Sequence, residues 1–362
     1  VKKFEEDLSK FYNSKYAITV NSWTSGLVAI FGSLDLERGD EVILPPWTMT
    51  ACMASILNWN LVPVFCDIEK NTFNIDPIEI EKKITKKTKA ILAVDIFGHP
   101  VNVIEIKKIC KKYNLKFILD SAQSPYSKYK GKFSSEYADV AGYSFNYHKH
   151  ISTGEGGAIV TSDRKIARKL QLIRNHGEIV VEEKEKHNHH ILGFNFRLGE
   201  LEAAIGIEQL KKLKKIVREK QALANYLNKY LTKFKGIITP MTMKHYTHSY
   251  YVYGMRLDRN KIKTSKKTID NFLKSSQLPI ATRYQSLYKA NILRNRKFLS
   301  RIFKTKKDTD RYIKKNNPVN FKNNEDLNNY EYLGIGLCDY NFKKNDLKKI
   351  FDKLYQFWKD LD

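Results

Sequence analysis

One lysine of this chain stands apart from the others. Lys149 lies between His148 and His150 in the stretch Ser144-Phe145-Asn146-Tyr147-His148-Lys149-His150, and a Gly-rich turn, Thr153-Gly154-Glu155-Gly156-Gly157, leads from it into the apolar run Ala158–Thr161. Most other lysines sit in polar runs. A neutral amine can attack an aldehyde and afterwards carry a proton. The second candidate is Asp120, which ends the apolar run Phe117-Ile118-Leu119 and precedes Ser121-Ala122-Gln123. Open α/β sheets bind ligands at the carboxyl ends of their strands, and an acid there can hold a proton on a ring nitrogen. An Asp that caps a following helix is the commoner occupant of such a position. The third is Asn21-Ser22-Trp23-Thr24-Ser25-Gly26-Leu27, directly after the run Ala17–Val20. A helix starting there presents backbone N–H groups and small hydroxyls to an anion, or is simply capped by one of them. Ser144 adds a hydroxyl suited to a phosphate oxygen. An amine for an aldehyde, an acid for a pyridine nitrogen, a cradle for a phosphate and a flat or apolar surface against a ring are what pyridoxal 5'-phosphate (PLP) requires.

Positioning these residues requires a scaffold of buried strands. From about residue 16 to 160, short apolar runs alternate with helical patterns: Tyr16–Val20, Glu41–Leu44, Val62–Phe65, Ala90–Val94, Lys116–Leu119, Val140–Ser144 and Ala158–Thr161. The alternation predicts an α/β domain with a mainly parallel sheet. Between Val101 and Tyr113, the spacing of Ile104, Ile109 and Tyr113 among lysines predicts an amphipathic helix. After Leu198 a helical pattern runs through Leu201, Ile205, Leu210, Leu213 and Val217 with no breaker before Gly236, and is expected to cross from a large domain (1–235) toward a smaller C-terminal α+β domain (236–362). There Tyr251, Tyr253, Met255 and Leu257 alternate as a strand, while 266–276 and 343–358 read as helices. Glu182–His190 reads as a solvated loop, and His187, His189 and His190 are assigned to it rather than to a metal.

Composition narrows the classes. A chain of 362 residues that is 42% hydrophobic can bury a substantial core. No stretch approaches the roughly 18 consecutive apolar residues of a membrane span, and Val1-Lys2-Lys3-Phe4-Glu5-Glu6 lacks the apolar region of a signal peptide, so a soluble, cytoplasmic protein is expected. Cys52, Cys66, Cys110 and Cys338 form no Cys-x-x-Cys pair and read as reduced, mostly buried thiols. The formal net charge of +25 is spread along the chain, mostly as lysine accompanied by Asn and Ile, as an AT-rich genome produces. It predicts no specific nucleic-acid partner and at most a preference for anionic substrates. Dinucleotide-binding, phosphate-loop, zinc-protease and serine-hydrolase signatures are lacking.

The ordered combination resembles the DegT/DnrJ/EryC1/StrS family of PLP-dependent sugar aminotransferases. The matching stretches run from Phe4 to about Leu231 and include Asn21–Leu27, Gly39-Asp40-Glu41-Val42-Ile43, Phe97-Gly98-His99-Pro100, Asp120–Gln123, Ser144–Gly157, Arg174-Asn175-His176-Gly177 and Gly193-Phe194-Asn195-Phe196-Arg197-Leu198. The resemblance implies an aspartate-aminotransferase-like fold, PLP fold type I, with a seven-stranded, mainly parallel sheet. It makes Lys149 the Schiff-base lysine, Asp120 the partner of the pyridine nitrogen and Gln123 a neighbour of the ring hydroxyl. It makes Thr24, Ser25 and Ser144 phosphate contacts, and Asn195 a residue that reaches the phosphate of a neighbouring subunit, so that a homodimer shares its active sites. It further implies transfer of an amino group from an amino acid, glutamate or glutamine, to a keto sugar, most often nucleotide-linked, in surface-polysaccharide or deoxyamino-sugar biosynthesis. A dehydratase of the same family, which carries histidine in place of the lysine, and a non-catalytic regulator on the same scaffold are the alternatives. Where the family often stacks an aromatic side chain on the cofactor, this chain has Thr48-Met49, leaving the stacking to Met49 or to nearby Trp47. Beyond residue 236 only fragments such as His248-Ser249-Tyr250-Tyr251 and Tyr284-Gln285-Ser286-Leu287-Tyr288 match. The chain begins at Val1, which leaves room for a native segment before it.

Overall fold

A computed structural model describes residues 1–178 and 191–361. The expected loop Glu182–His190, with its three histidines, lies outside the described residues. The apolar runs become β1 (Tyr16–Val20), β2 (Glu41–Leu44), β3 (Val62–Phe65), β4 (Thr88–Val94), β5 (Lys116–Asp120), β6 (Val140–Ser144) and β7 (Gly157–Thr161). They form one seven-stranded sheet in the order β1-β7-β6-β5-β4-β2-β3. The pairs from β3 to β6 are all parallel, whereas β7 runs antiparallel to both β1 and β6.

Helices cover both faces, so the central strands are buried along almost their whole length. In β4 the side chains alternate: Ala90, Leu92 and Val94 enter one core with the helices Trp23–Ser33, Thr50–Asn58 and Arg164–Arg174. Ile91 and Ala93 enter the other, with Lys2–Phe11, Val103–Tyr113 and the first half of Glu200–Tyr230. Each fully buried aliphatic side chain contributes about 1.5–3 kcal/mol.

Two sequence expectations are corrected in register. The helix expected from Val101 begins at Val103, with the Asn102 side chain accepting from Glu105 N–H. Its inward face is Val103, Ile106, Ile109 and Cys110, whereas Ile104 is only partly covered and Tyr113 points to solvent. In the long helix Glu200–Tyr230, Ala203, Gly206, Leu210, Leu213 and Val217 are buried, but Leu201 and Ile205 are exposed. Small residues do the inward packing there: a Cβ on Gly206 would lie 2.5 Å from the Phe4 ring.

The far end of that helix belongs to a third core. Ala224, Leu227, Leu231 and Phe234 pack with the strands Val252–Leu257 and Tyr332–Gly336 and the helices Lys266–Ser275 and Lys344–Trp358. The intervening segment returns to the large sheet: Tyr288, Leu293, Leu299, Ile302, Tyr312 and Phe321 all join the first core. One crossing matters for the site. Gly98, at φ +102°, brings its backbone against Ser249–Tyr251, so that a Cβ there would lie 2.6 Å from Tyr250 N and 2.9 Å from Tyr251 N. Ser249 N–H donates to Gly98 C=O at 2.7 Å.

Candidate active site

Lys149 sits in the loop that joins β6 to β7. The loop is closed at its base by Phe145 N–H donating to Gly156 C=O and Thr153 N–H donating to Phe145 C=O, both at 2.9 Å. Within it, Lys149 N–H donates to Asn146 C=O at 3.0 Å, which folds the chain back and turns the lysine inward. Its Nζ lies 3.3 Å from the Tyr251 hydroxyl and 4.3 Å from the centre of the Tyr251 ring. Burial lowers the amine's pKa from its ordinary value, and the charge of Asp120 opposes that fall. The histidines on either side also flank the Tyr251 ring, each with its centre 6.2 Å away. His150 is buried with Nε2 at 2.8 Å from Ser249 C=O, and burial takes its pKa down to about 4. His148 is partly exposed.

Asp120 closes β5 and is buried. No helix starts behind it: Oδ1 accepts Ala122 N–H at 2.9 Å in a tight turn, which removes the helix-cap reading. The same oxygen accepts the Trp23 indole N–H at 2.8 Å, and Oδ2 accepts the Cys52 thiol at 3.2 Å. Burial raises the Asp120 pKa, whereas these donors and the charge of Lys149 hold it down. Room for the Trp23 ring exists because β6 and β7 carry glycine beside it. A Cβ on Gly142 would lie 2.1 Å from the indole, and one on Gly157 would lie 3.0 Å from the Trp23 backbone.

Around this pair, Gln123 Oε1 accepts Phe97 N–H at 2.7 Å, and Nε2 donates to the Tyr284 hydroxyl at 3.3 Å. Burial pushes the Tyr284 hydroxyl up to about 12. At the start of the helix Trp23–Ser33, Ser22 Oγ accepts Ser25 N–H at 3.1 Å, an ordinary cap, while Thr24 is exposed and Ser25 half-buried. Ser144 Oγ accepts Asn146 N–H at 3.4 Å.

The model of the DegT/DnrJ/EryC1/StrS aminotransferase family matches residues 1–314. The chain belongs to that family. A Helicobacter pylori UDP-4-amino-4,6-dideoxy-N-acetyl-beta-L-altrosamine transaminase is 34% identical over 79% of this chain and 76% of its own length. The GDP-perosamine synthase of Escherichia coli O157:H7 is 32% identical over 70% and 69%. Among solved structures, the Helicobacter pylori aminotransferase involved in the biosynthesis of pseudoaminic acid superposes with a TM-score of 0.84 at 27% identity, covering 99% of this chain and 91% of that one. An E. coli GDP-4-keto-6-deoxy-D-mannose-3-dehydratase with bound hydrated PLP gives 0.80 at 25% identity, covering 98% and 91%. The architecture is thus that of the fold type I aminotransferases.

Of the family positions expected to bear on the cofactor, Lys149 and Asp120 act electrostatically on each other, and Asp120 also acts on the Tyr284 hydroxyl that Gln123 donates to. Asn195 has an exposed side chain, and its C=O accepts Asn21 Nδ2 at 3.3 Å, placing it beside the strand–helix junction of its own chain. Met49 is exposed, with Sδ 3.6 Å from Gln285 Nε2. Trp47 offers no open face to a ligand ring. It is fully buried among Phe73, Phe97, Tyr284 and Tyr332, and its indole N–H has no hydrogen-bond partner among the described residues. The sequence places Trp23 only in an anion cradle, Cys52 only among buried thiols, and Tyr251 on a strand and in a family-like fragment without a role; the strand begins one residue later, at Val252. A large ring among small residues at a helix start was the available signal for Trp23.

Proposed function

We propose that the chain is a PLP-dependent aminotransferase that moves an amino group from glutamate or glutamine onto the keto carbon of a nucleotide-linked sugar, serving surface-polysaccharide or deoxyamino-sugar biosynthesis. The observation that carries the reading is the partly buried amine of Lys149, its pKa depressed, electrostatically coupled to the buried carboxyl of Asp120. The residues present fit PLP. A carboxylate oxygen accepts about two hydrogen bonds, and among the described residues Asp120 Oδ2 accepts only from the Cys52 thiol, so an acceptor position is left for a protonated ring nitrogen. Lys149 would hold the aldehyde carbon, Gln123 would lie near the ring hydroxyl, and Thr24, Ser25 and Ser144 would hold the phosphate. When bound, the cofactor supplies an electron sink for the bonds at the amino-bearing carbon.

The chain's own residues supply position and proton movement. Lys149 Nζ, its pKa lowered by burial, would take and return the proton on the substrate carbon. Asp120 would hold a proton, and with it positive charge, on the ring nitrogen. Met49 and Gln285 stand at the exposed margin. The dehydratase alternative needs histidine at the lysine's position, and here it is the Lys149 amine that comes within 3.3 Å of the Tyr251 hydroxyl, while His150 is occupied by a backbone carbonyl. We further propose a homodimer with shared sites, in the cytoplasm. Asn195 is exposed, and Leu192, Leu201 and Ile205, which flank it in the chain, are exposed apolar side chains of the kind that partners cover.

Purified protein incubated with glutamate or glutamine and a panel of nucleotide-linked keto sugars tests this. The expected result is one amino sugar, detected by mass, for each keto acid formed, with no product from Lys149→Ala. A deoxy keto sugar in place of an amino sugar would contradict it.

A further inference from the structure

We propose that Trp23 and Cys52 are positioning residues for Asp120, together presenting Oδ2 rather than Oδ1 to the ring nitrogen of bound PLP. This rests on the PLP reading above and deepens it. Oδ1 is filled by two donors, the Trp23 indole at 2.8 Å and Ala122 N–H at 2.9 Å. Oδ2 has one, the Cys52 thiol at 3.2 Å, and S–H is the weakest of the three donors. The open lone pair is therefore on Oδ2.

Both positioning side chains are built in rather than incidental. The Trp23 ring occupies a slot that any side chain on Gly142 would fill. The same first turn that places Ser22, Thr24 and Ser25 at its mouth carries the indole to Asp120, so the anion end and the carboxylate end of the site are fixed relative to each other. Cys52 is fully buried in the first turn of the helix Thr50–Asn58, between the Thr48 hydroxyl at 3.5 Å and the carboxylate. Burial pushes its thiol well up, so it stays protonated and can only donate toward Asp120. A serine there would donate too; an alanine would not. Loss of either donor leaves a buried carboxyl that holds a proton on the ring nitrogen less firmly, and a less positive ring makes the nitrogen bonded to the cofactor's aldehyde carbon more basic.

The test uses PLP-loaded protein carrying Trp23→Phe, Cys52→Ala or Cys52→Ser, with circular dichroism to establish folding. The readout is the pH midpoint of the bound cofactor's visible band, with kcat and KM alongside. Trp23→Phe and Cys52→Ala are expected to raise the midpoint by about one unit and lower kcat about tenfold with little change in KM, and Cys52→Ser is expected to restore both. Should Trp23→Phe not fold, Cys52→Ala against Cys52→Ser decides alone. A wild-type midpoint in every folded variant overturns the inference. Wild-type protein that develops no visible band with PLP fails the underlying reading instead, and the inference falls with it.

Discussion

Lys149 and Tyr251, separated by 102 positions in the chain, meet with Nζ 3.3 Å from the hydroxyl and 4.3 Å from the ring centre. Burial holds the Tyr251 hydroxyl protonated far above neutral pH, so it serves the lysine as a neutral acceptor that favours the charged amine. Tyr251→Phe keeps the ring and removes that acceptor. The lysine pKa should fall further, moving the acid limb of the pH–rate profile to lower pH, with kcat reduced about tenfold and stability changed by less than about 1 kcal/mol. An unshifted acid limb would show that the hydroxyl does not act on Lys149.

Gly98 holds the Tyr251 segment in place through close backbone contact. Gly98→Ala puts a Cβ 2.6 Å from Tyr250 N at a backbone angle that side chains rarely adopt. We expect a loss of about 1–3 kcal/mol in urea unfolding, with a drop in activity that persists under conditions where the variant is fully folded. Full activity in a folded variant would mean that the crossing does not set the position of Tyr251.

Asp120→Asn separates charge from shape. The amide oxygen can still accept from Trp23 and Ala122, so the fold should persist, but no anion remains beneath a ring nitrogen. Amino transfer should fall about a hundredfold or more, and Asp120→Glu should not rescue it, because the longer chain cannot keep both donors at 2.8–2.9 Å.

His150 is neutral in the folded protein until about pH 4, whereas an unfolded histidine takes its proton near 6.5. The unfolded state therefore binds more protons across that window, so this group's contribution is fully present above about 6.5 and is lost as pH falls toward 4. Asp95, raised to about 7 by burial, works in the opposite sense, so the informative quantity is a difference between proteins. Between pH 7.5 and 5, wild type should lose about 2 kcal/mol relative to His150→Gln in urea unfolding. A constant difference would place the histidine's titration elsewhere.

Much of this architecture could be read before the coordinates. All seven strands announce themselves as short buried runs, because a sheet covered on both faces cannot tolerate polar interruptions. Asp120 is conspicuous because it ends an apolar run, and Lys149 because it lies between two histidines ahead of a Gly-rich turn. What local pattern does not carry are contacts closed by the fold. The Trp23–Asp120 and Cys52–Asp120 bonds span 97 and 68 positions, and nothing near Cys52 distinguishes it from the buried thiols of Cys66 and Cys110. Tyr288 to Phe321 return to the large core through short helical turns and one ten-residue helix, Lys306–Lys315, in a Lys- and Asn-rich stretch; that helix buries only Thr309 and Tyr312, too few inward residues to stand out from the polar run. The inward face of the helix Val103–Tyr113 is harder to read because Val103 and Cys110 anchor it, while Ile104 only flanks the core and Tyr113 is exposed.

On the proposed function, the Lys149 amine is the cofactor's covalent partner. Wild-type protein loaded with PLP, reduced with borohydride, digested and mapped by mass spectrometry should carry the pyridoxyl group on the peptide containing Lys149, and on no other. Label on a different lysine, or none in a folded protein that has taken up PLP, would contradict the account.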